Sequence, residues 1–301
     1  MERTRFAPAP TGHLHLGHAV NALYVWGLGH ALGARVLLRI EDHDAQRARP
    51  EYEQALLDDL DWLGFVPDEF PASAFRAGRC DSRQSDRHHV YAPAAQELIA
   101  RGLVYGCDCT RLRQALAATA GKARERRYPG TCRERGLPLE TGIAWRVRME
   151  PGAETFDDRL CGPQTQDPAA QCGDVAIRDR LGNWTYQFVA AVDDFRQGVD
   201  LVIRGLDLLP STGRQIRIAR LLGRPAPAAF AHHPLVMKSA ARKLSKSDGD
   251  TGIGELRTAG WPPERVLGEA ARRAGLTSDR RTISAREAPA LFRRTAASCG
   301  S

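Results

Sequence analysis

The 301 residues are 43% hydrophobic and 26% charged, an ordinary balance for a globular chain and enough for a sizeable core in about two domains of ~150 residues. No run approaches the ~18 apolar residues of a membrane span, and the Met1-Glu2-Arg3-Thr4-Arg5 start leads toward a strand rather than a secretory signal, so the expectation is a cytoplasmic protein. The net charge of +7, from 43 basic and 36 acidic residues, favours a polyanionic partner. Its arginines gather at Arg111, Arg113, Lys122, Arg124, Arg126, Arg127, Arg133 and Arg135.

In chain order, a strand is expected from Arg3 to Ala7. It passes through Pro8, Pro10 and Gly12 into a helical pattern from about Leu16, carried by Leu16, Val20, Leu23, Val25, Leu28 and Leu32. Arg35 to Ile40 reads as a second strand closing a βαβ unit, which leaves Glu41-Asp42-His43-Asp44 at a strand C-terminal end. In an open α/β sheet that end faces the ligand crevice. Pro50 opens a helix with Leu56, Leu57, Leu60 and Leu63 at the 3.6 period, and Gly64 ends it. A third helix is expected over Arg87 to Arg101, with Gly102 as its stop. Pro93 argues against it.

Between Cys107 and about Gly173 the periodicity is lost, and the pattern suggests an inserted subdomain stapled by a metal. Cys107-x-Cys109 with Cys132 further on reads as thiolate ligation of zinc in a reducing compartment. Three cysteines leave one position open; Tyr128, Cys161, Cys172 or a histidine compete for it. Regular structure returns over Val175–Arg180, Trp184–Ala191 and Leu201–Arg204, then a helix from Ser211 to Leu222 with Ser211 or Thr212 as its N-cap. A final amphipathic helix is opened by Pro262-Pro263 and closes near Gly275. There is no internal repeat.

Two short motifs carry the chemistry. His15-Leu16-Gly17-His18 falls at a helix N-terminus, where unpaired N–H groups favour phosphate and Gly17 permits a close approach. Lys243-Leu244-Ser245-Lys246-Ser247 supplies two ammonium groups. Taken singly, the first motif reads equally as a helix cap and the second as a solvated turn. Together they suit a triphosphate held while a carboxylate attacks its α-phosphorus, a reaction that asks mainly for positioning and charge stabilisation.

Arg5-Phe6-Ala7-Pro8-Ala9-Pro10-Thr11-Gly12, the His15 motif, Arg39-Ile40-Glu41-Asp42, Asp193-Asp194, Gln197-Gly198-Val199, Val202-Ile203-Arg204-Gly205 and the lysine motif together resemble the class I glutamyl-tRNA synthetases over roughly residues 3 to 275. Few residues follow the lysine motif, so the nearer resemblance is to the truncated paralogue family, the glutamyl-queuosine tRNA(Asp) synthetases. The resemblance implies an α/β fold: a Rossmann-like class I catalytic domain with a zinc-binding insertion, a short helical C-terminal segment and no anticodon-binding domain. The segments expected are 1–105 and 174–250 for the two catalytic halves, 106–173 for the insertion and 251–301 for the C-terminal piece.

By that resemblance His15, His18, Lys243 and Lys246 are catalytic, and His15, Gly17, His18 and Lys246 hold ATP with Mg2+. Arg5, Glu41, Tyr186 and Arg204, with the main chain of Phe6, Ala7, Pro8 and Ala9, hold glutamate. Cys107, Cys109, Tyr128 and Cys132 hold one structural zinc. The implied partner is a tRNA(Asp) anticodon stem-loop carrying queuosine, and the expected state is a monomer. His43 stands where the family usually has leucine. The competing expectations are a short translational glutamyl-tRNA synthetase, another adenylate-forming nucleotidyltransferase and a non-catalytic RNA-binding paralogue.

Overall fold

The computed structural model describes residues 2–110, 127–235, 237–239, 242–243 and 252–299. Strands β1 (Arg3–Phe6) and β2 (Arg35–Leu38) pair in parallel across helix α1 (Leu16–Ala31), with Arg3 opposite Arg35 and Phe6 opposite Leu38. Both strands are shorter than their apolar runs. Past Phe6 and Leu38 the contact continues as single bonds, Arg39 N–H to Phe6 C=O and Glu41 N–H to Pro8 C=O, while Ile40 N–H turns away to Ser82 C=O. Helix α2 (Pro50–Leu63) has Pro50 at its start, Glu51 and Glu53 in its first turn and Gly64 at φ +80° as its stop, as the sequence anticipates. The short α3 (Ala72–Arg76) follows.

Helix α4 (His88–Ala100) runs through Pro93 without breaking. Its buried face of Tyr91, Ala94, Ala95 and Leu98 packs against a second apolar cluster containing Trp145, Ile177, Phe188 and Ile218, and that burial outweighs the lost backbone bond. Strands β3 (Val104–Cys107), β4 (Ala144–Val147) and β7 (Val175–Arg178) form an antiparallel three-stranded sheet. A hairpin of β5 (Glu154–Phe156) and β6 (Gln164–Gln166) and the one-turn α5 (Pro168–Gln171) lie between β4 and β7.

The segment from Trp184 takes helical form as α6 (Tyr186–Arg196). Its aromatic and β-branched start has strand composition, but Phe188, Val189, Ala191 and Val192 bury one helical face. Strands β8 (Leu201–Gly205) and β9 (Ala229–His233) pair in parallel across α7 (Thr212–Leu221), and Asp200 N–H donates to Arg3 C=O, setting this pair beside the first. Neither expected N-cap serves α7. Ser211 occupies the cap position without a side-chain bond to the helix and accepts from Gln187, while the Thr212 hydroxyl is taken by Arg204.

Strands β10 (Met237–Ser239) and β11 (Arg242–Lys243) form a short antiparallel pair. The chain then continues into α8 (Ile253–Thr258), α9 (Pro263–Arg273) and α10 (Arg293–Cys299). These C-terminal elements cover the outer side of α1, which explains why Val20, Leu23, Val25 and Leu28 are all fully buried. At Gly27 a Cβ would collide with the Phe292 ring, so the close seat of the C-terminal segment depends on that glycine. Among the described residues no helix is long and apolar enough to cross a membrane.

Candidate active site

His15 is the N-cap of α1, and its Nδ1 accepts from Gly17 N–H at 3.0 Å; His18 Nδ1 in turn accepts from His15 N–H at 3.1 Å. The capping reading of this motif is therefore realised. A backbone N–H can only donate, so each neutral ring must carry its proton on Nε2. The cap thus turns both imidazoles into hydrogen-bond donors directed away from the helix backbone, the polarity a phosphate needs. Gly17 has a second reason to be glycine: a Cβ there would stand 2.8 Å from His15 Cε1, forcing the ring off its cap.

In the lysine motif, Lys243 lies in β11, paired with Met237; Lys246 lies outside the described residues. The ends of the intervening segment are described, and both rest on α1 or its cap. His233, at the end of β9, contacts Asn21 through Nε2 at 3.0 Å. Gly252 forms a bridge with His15, with Ile253 N–H donating to Leu14 C=O at 2.8 Å. The described residues flanking the lysine motif therefore contact α1 at Asn21 and its cap at His15.

At the C-terminal ends of β1, β2 and β8 stand three buried guanidinium groups, two of which pair with the carboxylates of Asp194 and Glu41. Arg5 donates to Asp194 Oδ1 (3.0 Å) and to Ile203 C=O (3.2 Å). Arg39 donates to Asp194 (2.8 Å) and, through Nη2, to Glu41 Oε1 (3.0 Å). Burial opposes the charge on Asp194, but Arg5 and Arg39 outweigh it and hold the carboxyl far below the usual range. Glu41 Oε2 makes no hydrogen bond among the described residues, which leaves an acceptor for an ammonium group. Tyr186, at the start of α6, faces the same pocket; desolvation first, then the Glu41 charge, raises its phenol pKa. The Phe6 ring is in the core against Trp26, at 5.2 Å between centroids, so Phe6 offers the pocket only main chain.

Arg204 differs from the other two. It is 3% exposed and has no carboxylate within ion-pair distance among the described residues. Burial lowers its pKa, and the neighbouring Arg5 charge acts in the same direction. Its Nε donates to His232 Nε2 (3.0 Å), Nη1 to Gln215 (2.6 Å) and Nη2 to Thr212 (2.8 Å); one hydrogen on each terminal nitrogen is left. A buried cation without a direct ion pair is costly even with the Asp194 and Glu41 charges acting in its favour, and an anionic ligand relieves that cost.

His232 is fixed from behind by Asp158, whose Oδ2 lies 2.5 Å from Nδ1. Burial alone would raise the Asp158 carboxyl, but the bonds from His232, Leu160 and Cys161 outweigh it and hold it down at about 2. Burial lowers the His232 pKa below the ordinary 6.5 despite the opposing bond to Asp158, and only the neutral ring can accept from Arg204. Below pH 6.5 the unfolded chain binds a proton at His232 that the native state refuses, so this group makes stability rise with pH in that window; Asp158 acts in the same sense between about 4 and 2. Thermal midpoints should fall as the pH drops from 7 to 5, with a shallower fall in a His232→Gln variant. Equal slopes in the two proteins would dismiss the linkage.

A second cluster lies in the insertion. Cys107, Cys109 and Cys132 are buried with their sulfurs within 4.8 Å of one another, and the Cys109 and Cys132 sulfurs are 3.5 Å apart. That is far beyond a disulfide and close to the ~3.7 Å edge of a zinc tetrahedron with Zn–S bonds of ~2.3 Å. The Tyr128 oxygen lies 3.4 Å from Cys107 Sγ and accepts from Cys132 N–H. Cys161 and Cys172 bond to backbone carbonyls instead and stand outside the trio. Burial first, then the neighbouring thiols, push the Cys109 thiol up to about 12, a crowding that a bound cation would reverse. Three thiols and a phenol are a donor set that fits zinc.

The described arginines of the basic stretch are partly neutralised. Arg133 pairs with Glu150 and Asp174, Arg135 with Asp108, and Arg127 donates to Ala169 C=O. Residues 111–126, which include Arg111, Arg113, Lys122, Arg124 and Arg126, lie outside the described residues.

The sequence profile of the tRNA synthetases class I (E and Q) catalytic domain matches residues 2–297. The chain belongs to that family. It is 46% identical over 255 residues to the glutamyl-Q tRNA(Asp) synthetase of Bordetella bronchiseptica, covering 81% of this chain and 75% of that protein. With the glutamyl-Q tRNA(Asp) synthetase of Burkholderia cenocepacia the identity is 40% over 284 residues, covering 92% and 89%. Among solved structures, the glutamate tRNA ligase of Elizabethkingia meningosepticum in complex with its amino acid superposes with a TM-score of 0.76 at 27% identity. The match covers 96% of this chain and 64% of the ligase.

For this synthetase domain, the structure brings Arg5, Glu41, Tyr186 and Arg204 into one pocket, sets His15 and His18 at the start of α1 and gathers Cys107, Cys109, Tyr128 and Cys132. Sequence reasoning missed the supports. Arg39 and Asp194 stand in quoted motifs, but nothing local reveals that they hold Glu41 and Arg5. Asp158 and His232 carry no motif and meet Arg204 only through tertiary contact.

Proposed function

We infer that this chain activates glutamate with ATP and transfers it to queuosine in the anticodon of tRNA(Asp). The buried Arg204 carries the reading: among the described residues it has no ion-pair partner, and beside it Glu41 Oε2 makes no hydrogen bond. An amino acid with two carboxylates and one ammonium group complements that pocket. The queuosine specificity rests on the shared name of the relatives.

In the activation step, Arg5 and Arg204 orient the amino acid and Glu41 accepts from its ammonium group. The α-carboxylate oxygen attacks the α-phosphorus, and pyrophosphate departs with the electron pair of the broken P–O bond. His15 and His18 donate through Nε2 to the triphosphate, Gly17 keeps the approach open, Lys243 reaches the outer phosphates and Lys246 stabilises the transition state. Magnesium, when bound with ATP, shares the phosphate charge. A hydroxyl of the queuosine cyclopentenediol then attacks the activated carbonyl, and AMP leaves. The division into 1–105, 106–173, 174–250 and 251–301 is the organisation this reading implies.

Zinc on Cys107, Cys109, Tyr128 and Cys132 would fix the insertion against β3. A Cys109→Ser protein should lose metal from about one zinc per chain to near none and unfold at lower temperature, by elemental analysis and calorimetry. Freshly purified wild-type protein without zinc would refute this.

The function is tested by charging with radiolabelled glutamate, using tRNA(Glu) and tRNA(Asp) with and without queuosine, and locating the label by nuclease digestion. Label on the anticodon fragment of queuosine-bearing tRNA(Asp) alone is expected. Label on the 3′-adenosine of tRNA(Glu) would replace this reading with the translational one.

A further inference from the structure

Arg204 is held from two sides by groups that carry no charge. Thr212 and Gln215, in the first turn of α7, share one helical face and both accept from its guanidinium, while His232 on β9 accepts from Nε. The shortest of these bonds, 2.6 Å, runs from Nη1 to Gln215 Oε1. A hydroxyl, an amide and a neutral imidazole orient the fork without cancelling its charge. The Asp194 and Glu41 carboxylates, which favour that charge, are bonded to Arg5 and Arg39 instead.

Glutamine is not the residue that local physics favours at this position. A guanidinium only donates, so the amide must turn its oxygen to Arg204 and its NH2 away. That NH2 is buried and finds no acceptor among the described residues, which costs stability. Glutamate has the same length and shape, lacks the orphaned donors, and would give a buried cation the direct ion pair it has nowhere among the described residues. It would also stand near a helix N-terminus, where the dipole favours negative charge and α7 has no acidic residue in its first turn. The cavity that Gln215 lines is shared with Arg220 and Arg224 as well as Asp194, so the surroundings do not reject an acid. A local rule broken without structural gain marks a functional requirement.

We propose that Gln215 is a specificity-determining positioning residue: it orients Arg204 through a neutral acceptor, so that the charge of the buried guanidinium is left for a ligand carboxylate. A carboxylate at position 215 would supply from within the fold the anion that the substrate supplies from outside, and would then repel the substrate's own. The inference rests on the glutamate reading above and deepens it, by naming the residue that keeps the pocket one anion short.

The test uses the full-length protein with Gln215→Glu and Gln215→Met variants. Gln215→Glu should melt at a higher temperature than wild type, because the buried charge is then paired within the fold. Its KM for glutamate in pyrophosphate exchange should rise about a hundredfold, the scale of setting a like charge beside the ligand's, while kcat and the KM for ATP stay within about threefold. Glutamate should raise the wild-type melting temperature by mass action and leave that of Gln215→Glu nearly unmoved at the same concentration. Gln215→Met keeps the volume and the neutrality but loses the acceptor, so it should melt lower than wild type with a KM for glutamate raised no more than about tenfold. A purely structural role demands the reverse order, because glutamate preserves the bond to Nη1 and methionine does not. A near-wild-type KM for glutamate in Gln215→Glu, a melting temperature at or below wild type, or a methionine variant impaired as much as the glutamate one would each overturn the proposal. Should wild type activate an amino acid with a neutral side chain in place of glutamate, the functional reading falls and this inference with it; a glutamate-specific wild type whose Gln215→Glu variant keeps the original KM overturns this inference alone.

Discussion

Replacing Arg204 with methionine should weaken glutamate activation about thirty- to several-thousand-fold, read as a rise in KM for glutamate in pyrophosphate exchange with the KM for ATP unchanged. Truncating one partner of a buried, hydrogen-bonded charge pair costs about 2–5 kcal/mol, and that range sets the fold-change. Methionine preserves most of the packing over Phe230, whose ring centroid lies 5.5 Å from the guanidinium, so the fold should persist. Arg204→Lys should recover only part of the loss, because an ammonium cannot reach His232, Gln215, Thr212 and a ligand with one planar fork. A KM for glutamate close to wild type in the methionine variant would remove Arg204 from the pocket's function.

Changing Lys246 to alanine should slow glutamate-dependent exchange by roughly two to four powers of ten, the scale of losing one group aimed at developing charge. The effect should fall on kcat, with little change in the KM for glutamate, because the interaction strengthens as pyrophosphate separates. Lys246 lies outside the described residues, but its chain segment is anchored at both ends near α1: His233 against Asn21 and Gly252 against His15. Exchange surviving at close to the original rate would end the assigned role.

How far the sequence reaches can be judged from individual elements. The helices over Leu16–Ala31, Pro50–Leu63 and Pro263–Arg273 follow from a repeating apolar face and local stop signals, interactions a few residues long. The composition around Tyr186 leaves the kind of regular structure open, and the burial of Phe188 and Val192 against distant Trp145 and Ile218 decides its helical form. The helix expected around Pro93 persists for the same reason. In the site, His15 and His18 are legible because a cap and its helix are neighbours in sequence. The alignment of Cys107, Cys109, Tyr128 and Cys132 is legible once thiol spacing is read as metal chemistry.

The residues by themselves determined the family, the set of charged and ligating side chains, and most helix boundaries, since each depends on chemistry within a short stretch of chain. Only the folded molecule decided which arginine lacks an anion and that Asp158 and His232 stand behind Arg204. It alone decided that Arg87, Tyr91 and Gln84 converge on the buried carboxylate of Asp193. Those facts concern contacts between residues 28 to 189 positions apart, and a buried charge is satisfied or left wanting by whatever the whole chain brings to it.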